Sequence, residues 1–169
     1  MKHKRFFPVL VLTGTLLFLS VPSEALKRKG VDFSGKWVLN EEKSTLGESR
    51  NFSAIELTVS QDGNTLNIDR TRTGRDGELR TTSEKVVTDG SKNVSERENG
   101  SSTSVASWSD DGKALNIAYE IVFNRQGETF TMKRNEVWTL DSGGKVLTIQ
   151  SNSSSQRGET SMTMVYDKE

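Results

Sequence analysis

Apolar and polar residues alternate along most of this chain with a period of two. Ile55, Leu57 and Val59 share one face, as do Leu66 and Ile68. Leu115, Ile117, Tyr119, Ile121 and Phe123 form the longest such series. Phe130, Met132, Trp138 and Leu140 follow, then Leu147 and Ile149, then Met162, Met164 and Tyr166. The intervening positions are mostly Thr, Ser, Asn, Asp, Lys and Glu. Such alternation predicts antiparallel strands with one buried face and one wet face.

Glycine-containing turns separate these runs. They are Asp62-Gly63-Asn64, Gly74 to Gly77, Asp89-Gly90, Asn99-Gly100, Asp111-Gly112, Gln126-Gly127, Gly143-Gly144 and Arg157-Gly158. Pairs of this kind favour hairpins, because tight turns require positive φ. With the segment around Trp37 they predict about ten strands. Three turns share one wording: DGNTLNI at 62–68, DGKALNI at 111–117 and GGKVLTI at 143–149. Their unequal intervals point to a recurring hairpin type rather than a solenoid repeat. Only Asn40 to Arg50 offers a turn or short helix. The predicted fold class is all-β, an antiparallel meander of about ten strands closed or flattened into a barrel. Closure also removes exposed strand edges. A two-sheet sandwich is the alternative.

The N-terminus changes the picture of compartment. Lys2, Lys4 and Arg5 precede an apolar run from Val9 to Val21, and Ser23 and Ala25 suit cleavage after Ala25. The run is short against the roughly 20 residues of a membrane-spanning helix. The expectation is a cleaved signal peptide at residues 1–25 and one β-barrel domain at 26–169, periplasmic or secreted and not membrane-spanning after cleavage. The only histidine, His3, lies in the leader, and there is no cysteine. Without them the remaining chain has no imidazole base, no thiolate nucleophile and no Cys or His metal ligand. The charges are balanced at 23 basic and 23 acidic residues. Their interspersion gives no basic stripe, so nucleic acid is not an expected partner. No cofactor is expected.

The opening strand reads DFSGKWVLN at 32–40, and its Gly35-Lys36-Trp37 resembles the G-x-W motif of lipocalins and related calycin-type barrels. In that family the glycine allows close packing at the closed end and the tryptophan plugs it, often against an arginine from a late strand. Arg157 is the late arginine that the resemblance nominates. Further wording, WSDDGK at 108–113, WTLD at 138–141 and VYDK at 165–168, resembles small exported bacterial proteins of unassigned function. Together the likeness spans most of residues 32–168 and implies a lipocalin-like barrel outside the cytoplasm. It departs from lipocalins in having no disulfide and no long C-terminal helix.

Candidate chemistry comes from charges that fall within apolar registers. The face of Leu66 and Ile68 continues into Arg70 and Arg72. The face of Phe130 and Met132 continues into Arg134 and Glu136 before Trp138. Regular strands would aim these charges inward, where they must be paired or bound. An arginine fork there suits a carboxylate or phosphate on an amphipathic ligand. Tyr119, Phe123, Trp108 and Trp138 are the candidates to line its apolar part. A β-bulge or a rim position would instead turn the arginines to water. Trp37 reads as a core plug, and Trp108 as either an end cap or a ligand platform.

Asp62, Asp76, Asp110, Asp111 and Asp141 all sit in turns, where aspartate serves the backbone. Ser107 to Gly112 lacks the terminal glutamate of a calcium loop. Catalysis therefore has little support. Two readings remain: a non-enzymatic carrier or sensor for a small amphipathic or apolar molecule, and a structural or interaction module with a filled core and no ligand. Interior volume separates them.

Overall fold

A computed structural model describes residues 30–47 and 53–169. The expected signal peptide and the end of the Asn40–Arg50 stretch lie outside the described residues. Ten strands form: β1 (Gly35–Leu39), β2 (Glu56–Asp62), β3 (Thr65–Thr73), β4 (Leu79–Val87), β5 (Asp89–Arg97), β6 (Gly100–Trp108), β7 (Ala114–Arg125), β8 (Glu128–Leu140), β9 (Val146–Ser155) and β10 (Gly158–Lys168). Every ladder is antiparallel. The order is β4-β3-β2-β1-β10-β9-β8-β7-β6-β5. This is an up-and-down barrel, in which β1 joins the chain's start to its last strand.

One seam stays unladdered, between β4 and β5. Asp89-Gly90 reads as a hairpin turn in sequence, yet it lies inside β5. The reason is local. Only Thr88 separates the two strands, and its amide donates to the Asn64 carbonyl at 2.8 Å. That bond ties the crossing to the β2–β3 turn. Gly90, with φ 84°, then falls in an irregularity between Asp89 and Lys92. A turn dipeptide and a bulge demand the same positive φ, so the glycine served the second. Across the seam Asn93 Nδ2 donates to the Lys85 carbonyl at 2.7 Å.

The Asn40–Gly47 segment forms a turn at 41–43 and then a two-bond bridge between Thr45 and Thr163, at 2.8 and 2.9 Å. Gly47 is in 3-10 conformation at the edge of the described residues, and no α-helix forms among residues 40–47.

The period-two faces point inward as the pattern requires. Leu57, Leu66, Ile68, Leu115, Ile117, Leu147, Ile149 and Tyr166 are buried. At the closed end Trp37 is fully buried, and its Nε1 donates to the Phe33 carbonyl at 2.9 Å. Phe33 stacks on Trp108 and meets Trp138 edge-on, with centroids 5.7 and 5.6 Å apart. Gly35 has φ 146°, and a Cβ there would lie 2.6 Å from Lys168 Cε. The glycine thus admits Lys168, whose Nζ sits 5.0 Å from the Trp37 ring centroid and donates to the Ser34 carbonyl at 2.9 Å. Arg157 does not take that role. It lies in the β9–β10 turn at the opposite, open end, whereas Lys168 is the register partner of Trp37.

Candidate functional site

Midway up the barrel the inward face changes from apolar to charged. On β3 the residue above Ile68 is Arg70, which is buried. Its Nε donates to Glu84 Oε1 at 2.6 Å and its Nη2 to Glu136 Oε2 at 2.9 Å. Glu136, also buried, accepts Trp138 Nε1 on the same oxygen at 2.8 Å. Residues 136 and 138 share a strand face, so the indole reaches up to the carboxylate from one pleat below. Tyr119 Oη contacts Glu84 Oε1 at 3.4 Å. Isolated buried charges cost several kcal/mol each, and this mutual pairing is what allows a charged layer inside the barrel.

Arg134 sits one pleat above Glu136. Its guanidinium carbon lies 4.2 Å from the centroid of Tyr119, its cross-strand partner on β7. Arg134 Nε is 3.2 Å from Glu136 Oε1, but the angle is wrong for a hydrogen bond and the buried atom has no partner. The side chain keeps 17% of its surface exposed. Burial pushes the Glu136 carboxyl up, but Arg70 and Arg134 outweigh it and hold the group well below the usual carboxylate range. Burial also disfavours the Arg70 charge, and Glu136 and Glu84 more than restore it. The Tyr119 phenol is pushed well above its ordinary value, by burial first and then by the neighbouring Glu136 and Glu84. Arg72 is lowered by burial and then by Arg70 and Arg134. Arg70 and Glu136 are therefore charged, and Tyr119 neutral, throughout the physiological range.

Above this floor a cavity of about 530 Å³ opens toward the β7–β8 and β9–β10 turns. Arg70, Arg134, Glu136 and Ser151 form its base. Ile121, Phe123, Phe130, Met132, Met162 and Met164 supply its apolar surface. Phe123 and Phe130 stack near the rim at 5.3 Å.

Four of the seven residues singled out from sequence line this cavity: Arg70, Arg72, Phe123 and Arg134. Three do not. Trp138 lies beneath the charged floor, fully buried against Phe33. Trp108 caps the closed end on the other side of Phe33. Tyr119 is covered by the Arg134 guanidinium. All three share the right strand face but stand too low. The expected pairing of Arg134 with Glu136 is present as a close charge contact, while the better hydrogen bonds of Glu136 go to Arg70 and Trp138. Glu84 was not singled out in sequence. Its signal was Val86, two residues on, whose burial puts Glu84 on the inner face. Ser151 was missed too, although it extends the Leu147–Ile149 face.

Asp76, Asp111 and Asp141 serve the backbone of their turns. Asp111 accepts from Ser109 Oγ at 2.7 Å and the Lys113 amide at 3.1 Å. Asp141 accepts the amides of Lys145 and Val146 at 2.7 and 2.8 Å. Among the described residues no group of three or more His, Cys, Asp or Glu side chains is placed to hold a metal ion. Nor is any helix there long and apolar enough to cross a membrane.

No protein-family model matches the chain, and no curated protein matches it. Among solved structures it is similar to the zebrafish ileal bile acid-binding protein complexed with cholic acid. The identity is 13%, over 81% of this chain and 98% of that one, with a TM-score of 0.49. The barrel assignment rests on this chain's own strand order and register.

Proposed function

We propose that the chain is a non-enzymatic binding protein that holds a small amphipathic molecule in its barrel interior. The observation that carries this is the cavity of about 530 Å³ standing directly on a charged floor. Its size falls within the few hundred to roughly 1,000 Å³ typical of small-molecule sites. A core filled to ordinary interior density leaves few voids larger than a water molecule. The interior volume therefore favours the carrier reading over the filled module.

The apolar part of the ligand rests on Ile121, Phe123, Phe130 and Met132, and its polar end meets the Arg134 guanidinium. Arg70 is committed to Glu84 and Glu136, so it fixes the floor rather than gripping the ligand. We further propose that the protein works outside the cytoplasm, on the strength of the leader at residues 1–25.

Mass spectrometry of small molecules retained by natively purified mature protein tests the reading. One amphipathic compound class should recur between preparations. Arg134→Met should then release it, with an unchanged far-ultraviolet dichroism spectrum, because Arg70 still neutralises Glu136. Absence of any retained molecule, together with no binding of anilinonaphthalene sulfonate, would overturn it.

A further inference from the structure

The inner face of β9 differs from its neighbours. Above Ile149 its inward positions are Ser151, Ser153 and Ser155, and all three line the cavity. The strands on either side carry methionine at matching heights: Met132 of β8 pairs with Ser155, and Met162 of β10 pairs with Ser151. A polar stripe thus runs from floor to mouth, with Met162 beside its lower end, Met132 beside its upper end, and Arg134 and Thr160 on either side of Ser153. Packing alone does not explain it. Serine buries little apolar area, and the Ser151 hydroxyl is withdrawn from water and needs a partner, while Ser153 is half-buried and Ser155 is exposed at the mouth.

The partners are incomplete. Ser155 Oγ accepts the Arg157 amide at 3.2 Å. Ser153 Oγ shares one hydrogen bond with Thr160 Oγ1 at 3.1 Å, which leaves one of the two hydroxyl hydrogens unspent. Ser151 is 1% exposed, and its Oγ has no partner. Close by, Arg134 Nε is buried without a hydrogen bond as well. The buried Ser151 hydroxyl, at the base of the cavity, has its hydrogen bonds still to give, and Arg134 Nε beside it has only the Glu136 charge contact.

We propose that this stripe determines specificity: the site takes an amphipath carrying hydroxyl or other oxygen functions along one edge of its apolar skeleton. Such a molecule is preferred over a plain hydrocarbon chain with one polar end. This rests on the binding reading above and adds the ligand's polar edge to it. Alternate residues of a strand stand about 6.8 Å apart. Oxygens separated by one such step meet Ser151 and Ser153 together, while the rest of the skeleton faces Met132 and Met162.

The test compares stearate with a dihydroxystearate whose two mid-chain hydroxyls stand about 6.8 Å apart along the extended chain, matching one such step; the two share chain length and carboxylate. Titration calorimetry of the mature protein should give about tenfold tighter binding of the dihydroxylated acid, the worth of a net hydrogen-bond gain near 1.4 kcal/mol. The double variant Ser151→Ala/Ser153→Ala should abolish that preference while still binding stearate. Ser154→Ala, on the outward face, should leave the preference intact. Equal or tighter binding of stearate by the unaltered protein overturns the inference and leaves the binding reading standing. Failure to bind either acid overturns the inference, and the binding reading falls with it only if no molecule is retained on purification and anilinonaphthalene sulfonate does not bind. The wild-type comparison decides the matter even if the double variant does not fold.

Discussion

The lower and upper halves of this barrel are built on the same strands and behave as different materials. On β3, Leu66 and Ile68 are packed below, while Arg70 and Arg72 stand above. On β9, Leu147 and Ile149 give way to Ser151 and Ser153. On β8, Trp138 lies beneath Glu136 and Arg134. No strand changes register at this boundary; only the side chains change. Close packing is concentrated near Trp37, Phe33 and Trp138, and the open half holds the cavity. Glu136 is the hinge of the contrast, since it bonds downward to Trp138 and sideways to Arg70.

Breaking that hinge should have the largest effect. Glu136→Ala leaves Arg70 with Glu84 alone and takes from Arg134 its only close carboxylate, and should cost about 3–5 kcal/mol in urea unfolding. A double Arg70→Met/Glu136→Met variant should lose distinctly less. Equal losses would show that packing, not charge pairing, sets the cost.

Acid probes the same group. Its folded-state pKa is depressed to about 2, against an unfolded value of about 4.3. The contribution of Glu136 is therefore complete above the unfolded value and drains away as pH falls through that window. The slope of unfolding free energy between those limits should flatten in Glu136→Gln relative to the parent.

Truncation then separates the halves. Ile117→Ala, in the packed half, should cost about 2–5 kcal/mol. Ile121→Ala, one pleat beyond Tyr119 and facing the cavity, should cost less than about 1 kcal/mol, because it deletes few packing contacts. Similar values in thermal or urea unfolding would erase the distinction.

The smallest expected change runs the other way. Ser151→Ala removes a buried hydroxyl that has no partner, and should stabilise the unliganded protein by about 1 kcal/mol. That is roughly 3 °C in melting temperature for a domain of this size. A loss of stability instead would place a hidden partner on that hydroxyl.

Much of the fold was legible because period-two alternation leaves a strand little choice of face. Ten strands and most of the turns were readable in this way. Asp89-Gly90 was not, since the same dipeptide serves a hairpin and a bulge, and the tie between Thr88 and Asn64 is a long-range fact. The site was half legible. Sequence shows which side of the sheet Trp108, Tyr119 and Trp138 occupy, but not their height. Height follows from inter-strand register: Trp138 faces Leu115 and Ile149, both in the packed layer. Glu84 was obscured because LRTTSEKVV is polar on both faces for most of its length. Arg157 was misassigned for want of one distance, as Lys168 occupies the place beside Trp37.

The unladdered line between β4 and β5 gives the molecule a preferred way to breathe. Widening it breaks the Asn93–Lys85 tie and no ladder, whereas parting any other neighbouring strands tears a row of backbone bonds. Amide exchange should therefore be fastest along β4 and β5, on the sides turned from β3 and β6. Under the binding reading proposed above, a bulky guest would enter by a sideways yawn of the wall while the aromatic base stays shut.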